Sequence, residues 1–148
     1  MRSSSFAALS AVVLAAGIPS VAASQSYEAI NHLKVYGLSP TSFEVIEDHG
    51  EGARGMWCAA ADYAINRLGV PRTTRFYVKS PRGRSQTGAG RVGVVFTTDA
   101  SSLSVQPSRS VSVSVETPGE GLPIYHANQF CRDYEIELDR ILFRHGRY

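Results

Sequence analysis

Only two cysteines, Cys58 and Cys131, occur in the 148 residues, and whether they pair decides much of what the chain can fold into. A bond between them closes a loop of about 74 residues, worth about 4 kcal/mol in the chain-entropy model before any strain. That is comparable to the whole stability of a small domain. The rival is a free thiol. Cys58 falls in the first turns of an expected helix, where a lowered pKa makes the sulfur nucleophilic. Compartment arbitrates, because disulfides persist where the surroundings are oxidising.

The N-terminus points to such a compartment. Met1-Arg2 supplies a positive start, and Phe6 to Ile18 is apolar except at Ser10 and Gly17. Pro19-Ser20 breaks the run, and Val21-Ala22-Ala23 sets small residues where a signal peptidase reads. The apolar core is about 13 residues, short of the roughly 20 that a spanning helix needs. A buried helix of the folded domain is the alternative, but no polar face runs through the segment. No cysteine follows the small residues, which argues against a lipid anchor. The expectation is a signal peptide over residues 1–23 and one disulfide-bonded domain over 24–148, periplasmic or secreted. No later apolar run has membrane length, so the mature chain is expected to be soluble. About 125 residues suffice for a real core.

The net charge of +2 points to no nucleic-acid or membrane partner. Its distribution is less even. Glu44, Glu47, Asp48 and Glu51 precede the first long helix, while Arg72, Arg75, Lys79, Arg82, Arg84 and Arg91 follow with no acid among them. Such runs are usually solvated surfaces.

Alternation and turn residues predict an α+β fold. Leu33-Val35 and Phe43-Val45 read as two strands around Gly37-Leu38-Ser39-Pro40. A helix is expected from about Arg54 to Leu68. Trp57, Ala61, Ala64, Ile65 and Leu68 share one face of it, and Gly69 and Pro71 stop it. Arg75–Val78 reads as a strand and Pro81–Arg91 as a hairpin loop. Val92–Thr98 reads as a central strand buried on both faces. Val111, Val113 and Val115 alternate with serines, the pattern of a half-buried strand. A second helix starts near Pro123 and carries Phe130, Cys131, Tyr134, Leu138, Ile141 and Leu142 on one stripe. Tyr134 to Leu138 also alternates like a strand, so Tyr134–Phe143 stays open between the two. The expected order is β-β-α-β-β-β-α, an antiparallel sheet of about five strands with two helices on one face.

Residues able to carry chemistry are sparse. His32, His49, His126 and His145 never pair at helical spacing, so no metal site or other cofactor is expected. Glu47, His49 and Glu51 share a glycine-containing loop that lacks the acid spacing of a calcium hand. Trp57 is read as a core side chain. Gly88-Ala89-Gly90 lacks the pattern of a phosphate loop. Lys79, Arg82, Arg84 and Arg91 on or beside the hairpin are the candidate ligand-binding residues, since guanidinium forks suit phosphate or carboxylate.

Two resemblances attach to the helix. Gly55-Met56-Trp57-Cys58-Ala59-Ala60-Ala61-Asp62-Tyr63-Ala64, with Gln129-Phe130-Cys131-Arg132, resembles a family of small exported alphaproteobacterial proteins without an assigned function. Its cysteines fall at matching places. Cys58, Asp62-Tyr63-Ala64 and Leu68-Gly69-Val70-Pro71 are also similar to transglutaminase-like cysteine hydrolases, over about a third of the chain. That family opens its next strand with a histidine base. Here Gly90-Arg91-Val92 stands in that region, and no histidine lies between His49 and His126. Two functions remain open. One is a non-catalytic exported module that binds an anionic envelope component or another exported protein. The other is a thiol hydrolase with Cys58 as its catalytic residue.

Overall fold

The computed structural model describes residues 25–145. The expected signal peptide lies outside them.

Strands β1 (Tyr27–Glu28), β2 (Lys34–Gly37), β3 (Ser42–Ile46), β4 (Arg75–Arg84), β5 (Val92–Thr97) and β6 (Gly121–Pro123) form one antiparallel sheet. Their order is β1-β2-β3-β5-β4-β6, with helix α1 (Gly52–Asn66) leaving β3 and returning to β4. The chain closes with α2 (Ile124–Asn128), a 3-10 turn over Gln129–Cys131 and α3 (Arg132–His145). The α+β class is as expected, and β5 is the central strand buried on both faces.

Core-side positions follow the two-residue period of each strand. Phe43 and Val45, Phe76 and Val78, and Val94 and Phe96 face α1 and share its core. Trp57 supplies the centre. Its ring meets Phe76 and Phe96 edge-on at centroid separations of 5.0 and 4.9 Å. Alanines 59, 60, 61 and 64 are fully buried, so α1 lies close on the sheet. Asp62 ties the edge strand to α1. Its Oδ2 accepts from the Tyr27 hydroxyl and the Ile30 N–H, both at 3.0 Å. Burial, the hydrogen bond to Asp62 and the charge on Asp62 push the Tyr27 phenol up to about 12.

Cys58 is bonded to Cys131. Cys131 sits in the 3-10 turn between α2 and α3 rather than inside one helix. The bond therefore fixes the α2–α3 junction on α1.

The opposite face is covered by loops. Glu44, fully buried in the middle of β3, accepts from the Gln86 N–H at 2.6 Å and the Thr87 N–H at 3.0 Å. The hydroxyls of Ser85 and Thr87 donate to it as well. Oε2 takes three of these four donors and Oε1 takes the Gln86 N–H. Farther along, Thr97 is buried beneath the 3-10 turn Ala100–Ser102, against the Ser102 hydroxyl and Asp99.

Several sequence expectations need correction. Val111–Val115 belongs to no strand of the sheet, and Val115 lies in a bend. Each serine there accepts the N–H two residues on: Ser108 from Ser110, Ser110 from Ser112, Ser112 from Ser114, and Ser114 from Glu116. Side-chain acceptors take the donors that a sheet ladder would have used. Two cross-links place the segment: Trp57 Nε1 donates to Val113 O, and Arg82 N to Val115 O. Pro81–Arg84 continues strand β4, with register shifts at Ser80, so the hairpin loop is shorter than expected. Strands β1 and β6, of two and three residues, are not expected from the sequence. The second helix is interrupted at Gln129–Cys131, and Tyr134–Phe143 is helical. The expected stripe is buried at Cys131, whereas Ile141 and Leu142 stand exposed on α3.

Candidate functional site

The residues that sequence reasoning singled out do not form one site. Cys58 has no exposed surface and its sulfur is bonded to Cys131. In this state it holds no thiolate. Asp62 and Tyr63, part of the hydrolase-like run, are structural: Asp62 anchors β1, and the Tyr63 ring packs 4.7 Å from Phe43.

The four basic residues are also separated in role. Arg82 donates to both oxygens of Glu47, at 2.9 and 2.6 Å, and lies 3.6 Å from Glu116. Those partners raise its pKa further. A guanidinium held by two carboxylates is poorly placed to take an external anion. Lys79 adds to the Ser101 hydrogen bonds that hold the Asp99 carboxyl below its usual range. Arg84 and Arg91 stand exposed at the base of the loop that Glu44 anchors.

A different basic cluster borders an open cavity of about 650 Å³, lined by Arg75, Tyr77, Gln106, Pro107, Ser108 and Arg109. Arg75 and Tyr77 alternate with buried Phe76 and Val78, so they project from the face of β4 turned away from α1. Tyr77 pairs with Gly121 across to β6. A Cβ at Gly121 would lie 2.3 Å from the Tyr77 ring, so only glycine lets that ring rest on the neighbouring strand. Arg75 Nη2 donates to Gly121 O at 2.7 Å, which fixes the guanidinium beside the ring. The far wall, Gln106–Arg109, comes from the serine-rich connector. Ser108 N donates to Gly119 O, and a Cβ at Gly119 would lie 2.9 Å from Gln106 O. The connector backbone is therefore packed directly on the turn before β6. None of the described residues that line this cavity carries a carboxylate.

A second, smaller cleft of about 370 Å³ lies at the N-terminal end of α1. Ile30, Asn31, His32, His49, Glu51, Tyr134 and Ile141 line it. His32 and His49, far apart in sequence, are the two non-glycine residues with positive φ among the described residues, at 66° and 56°. The Tyr134 hydroxyl donates to Glu51 and ties α3 to the start of α1. Burial raises the Glu51 pKa, against the opposing pull of His49 and His32. Asn31 donates to Gly55 O at 2.9 Å, and its own oxygen is buried with no protein partner among the described residues. Glu47, which shares a loop with His49 and Glu51 in the sequence, is taken by Arg82. No group of three or more His, Cys, Asp or Glu side chains among the described residues is placed to hold a metal ion.

Sequence reading missed Arg75, Tyr77, Gln106 and Arg109 as a site because β4 and the connector are separate segments. The available signal was the pairing of Tyr77 with a glycine, visible only once β6 is known to be a strand. No helix among the described residues is long and apolar enough to cross a membrane. No known protein family, characterised protein or solved structure matches this chain.

Proposed function

We propose that this protein is an exported, disulfide-bonded binding module that takes an anionic group of the cell envelope in the Arg75–Arg109 cavity. The observation that carries the reading is the cavity itself. Two guanidiniums border it, one held in place by Gly121 O, and no carboxylate stands among the described residues that line it. Arginine forks match the oxygens of phosphate or carboxylate. Export is supported by the N-terminal apolar run and by a cysteine pair of the kind that persists in oxidising compartments. The rival reading, a thiol hydrolase acting through Cys58, would need the bond to Cys131 reduced and the sulfur uncovered.

Inorganic pyrophosphate tests the site by calorimetric titration at low and high salt. Wild type should bind saturably at low salt. Binding should weaken as the Debye length falls from about 30 Å at 0.01 M to about 3 Å at 1 M. Arg109→Gln and Arg75→Gln should each cost about 1.5–3 kcal/mol of affinity, the worth of a hydrogen bond to a charged group. Arg84→Gln should cost nothing. Equal binding by wild type and the Arg75→Gln/Arg109→Gln double variant would remove the reading.

A further inference from the structure

We infer that the ligand of this cavity is an acidic sugar, with its carboxylate between Arg75 and Arg109 and its ring against Tyr77. The inference rests on the anion-binding reading above and names the ligand class of the same cavity.

An inorganic anion would leave most of the site unused. At about 650 Å³ the cavity is in the range that small organic ligands fill, not the size of a phosphate ion. Its walls are of three chemical kinds. Arg75 and Arg109 supply positive charge, Tyr77 supplies an aromatic surface, and Gln106 and Ser108 supply neutral donors and acceptors. A sugar carboxylate engages the first, because a planar fork matches a planar carboxylate. Vicinal hydroxyls engage the third, because an amide and a hydroxyl both give and accept hydrogen bonds. The C–H face of a pyranose fits the second. An aromatic side chain offers large, rigid contact area at low entropy cost, and here the ring is already fixed. Gly121 backs the Tyr77 ring at a separation no other residue allows, so the platform does not have to form on binding. A neutral sugar would leave both guanidiniums without a counter-charge. A nucleoside phosphate can engage all three walls as well, through its base, its phosphate and its ribose hydroxyls, so it is the rival class that titration has to separate.

Four probes separate these cases in equilibrium titrations at low salt: digalacturonate, maltose, pyrophosphate and adenosine monophosphate. Digalacturonate should bind saturably, and maltose at least about tenfold more weakly. Tyr77→Leu should weaken digalacturonate about tenfold while leaving pyrophosphate within about twofold, and Tyr77→Phe should keep both. Retained pyrophosphate affinity in Tyr77→Leu also shows that the variant has folded. If pyrophosphate binds but digalacturonate does not, the acidic-sugar inference falls and the anion site stands. It falls likewise if adenosine monophosphate outcompetes digalacturonate, or if Tyr77→Leu weakens both anions equally. If no anion binds, the anion reading and this inference fall together.

Discussion

The two faces of the sheet are held by opposite kinds of chemistry. Under α1 the contacts are rings and methyl groups: Trp57, Phe76, Phe96, Phe43 and Tyr63 form a continuous aromatic cluster. On the other face a single carboxylate, Glu44, gathers two backbone N–H groups and two hydroxyls. The apolar face gains from area removed from water and tolerates small shifts. The polar face gains little net from each bond, yet losing the carboxylate strands every donor at once. Loops held in this way keep a fixed shape without a hydrophobic layer of their own. The sheet face that carries Arg75 and Tyr77 is thus left with polar side chains and an open cavity.

Substitutions separate the two modes. The largest effect is expected at Trp57→Ala, about 3–5 kcal/mol for a lost aromatic side chain and its cavity. Urea denaturation should register it as a fall in midpoint. Glu44→Ala should approach that cost, about 3–5 kcal/mol, although it removes far less apolar surface, because it takes the acceptor from four donors at once, one buried and three part-buried. Glu44→Gln should cost less, since an amide still accepts. If Glu44→Ala costs under about 1 kcal/mol, the loop is not held by the carboxylate. Cys131→Ala should cost about 2–5 kcal/mol through the long loop it opens. Non-reducing mass mapping that returns two free thiols would remove that account. Ser110→Ala and Ser112→Ala should each cost under about 1 kcal/mol, because the N–H groups they free are exposed at Ser112 and only part-buried at Ser114, where water can take them.

The smallest effect is a titration. The Tyr27 phenol is pushed from 10.0 to about 12, so the folded state holds its proton more tightly than the unfolded state. The stability this supplies is complete below pH 10 and disappears as pH rises through about 12. Phenolate absorbance should contain a late-titrating tyrosine that Tyr27→Phe removes.

Much of the fold was legible because hydrophobic periodicity reports burial. Trp57, Ala61 and Ala64 marked the face of α1, and Val92 to Thr98 marked the central strand. The same signal misread Val111–Val115. Alternation does not establish that a segment has a partner, and there the serine hydroxyls replaced the ladder. Strands of two or three residues, β1 and β6, are too short for any periodic signal. The site was legible only as a basic run. Arg75 and Arg82 look alike in sequence, and only the fold gives one of them to Glu47 and the other to a cavity. The histidine cleft was hidden for the same reason, since His32 and His49 meet through the packing of two turns on α1 and α3.

The central claim is that the Arg75–Arg109 cavity, not the basic strand end at Arg82–Arg84, receives an anion. Amide and arginine side-chain shifts followed by NMR during a pyrophosphate titration locate the contact directly. The account predicts saturable shifts at Arg75, Tyr77, Ser108 and Arg109, all giving one dissociation constant, with Arg82 and Arg84 unmoved. Saturable shifts centred on Arg82, Arg84 and Arg91, with the cavity silent, would contradict it.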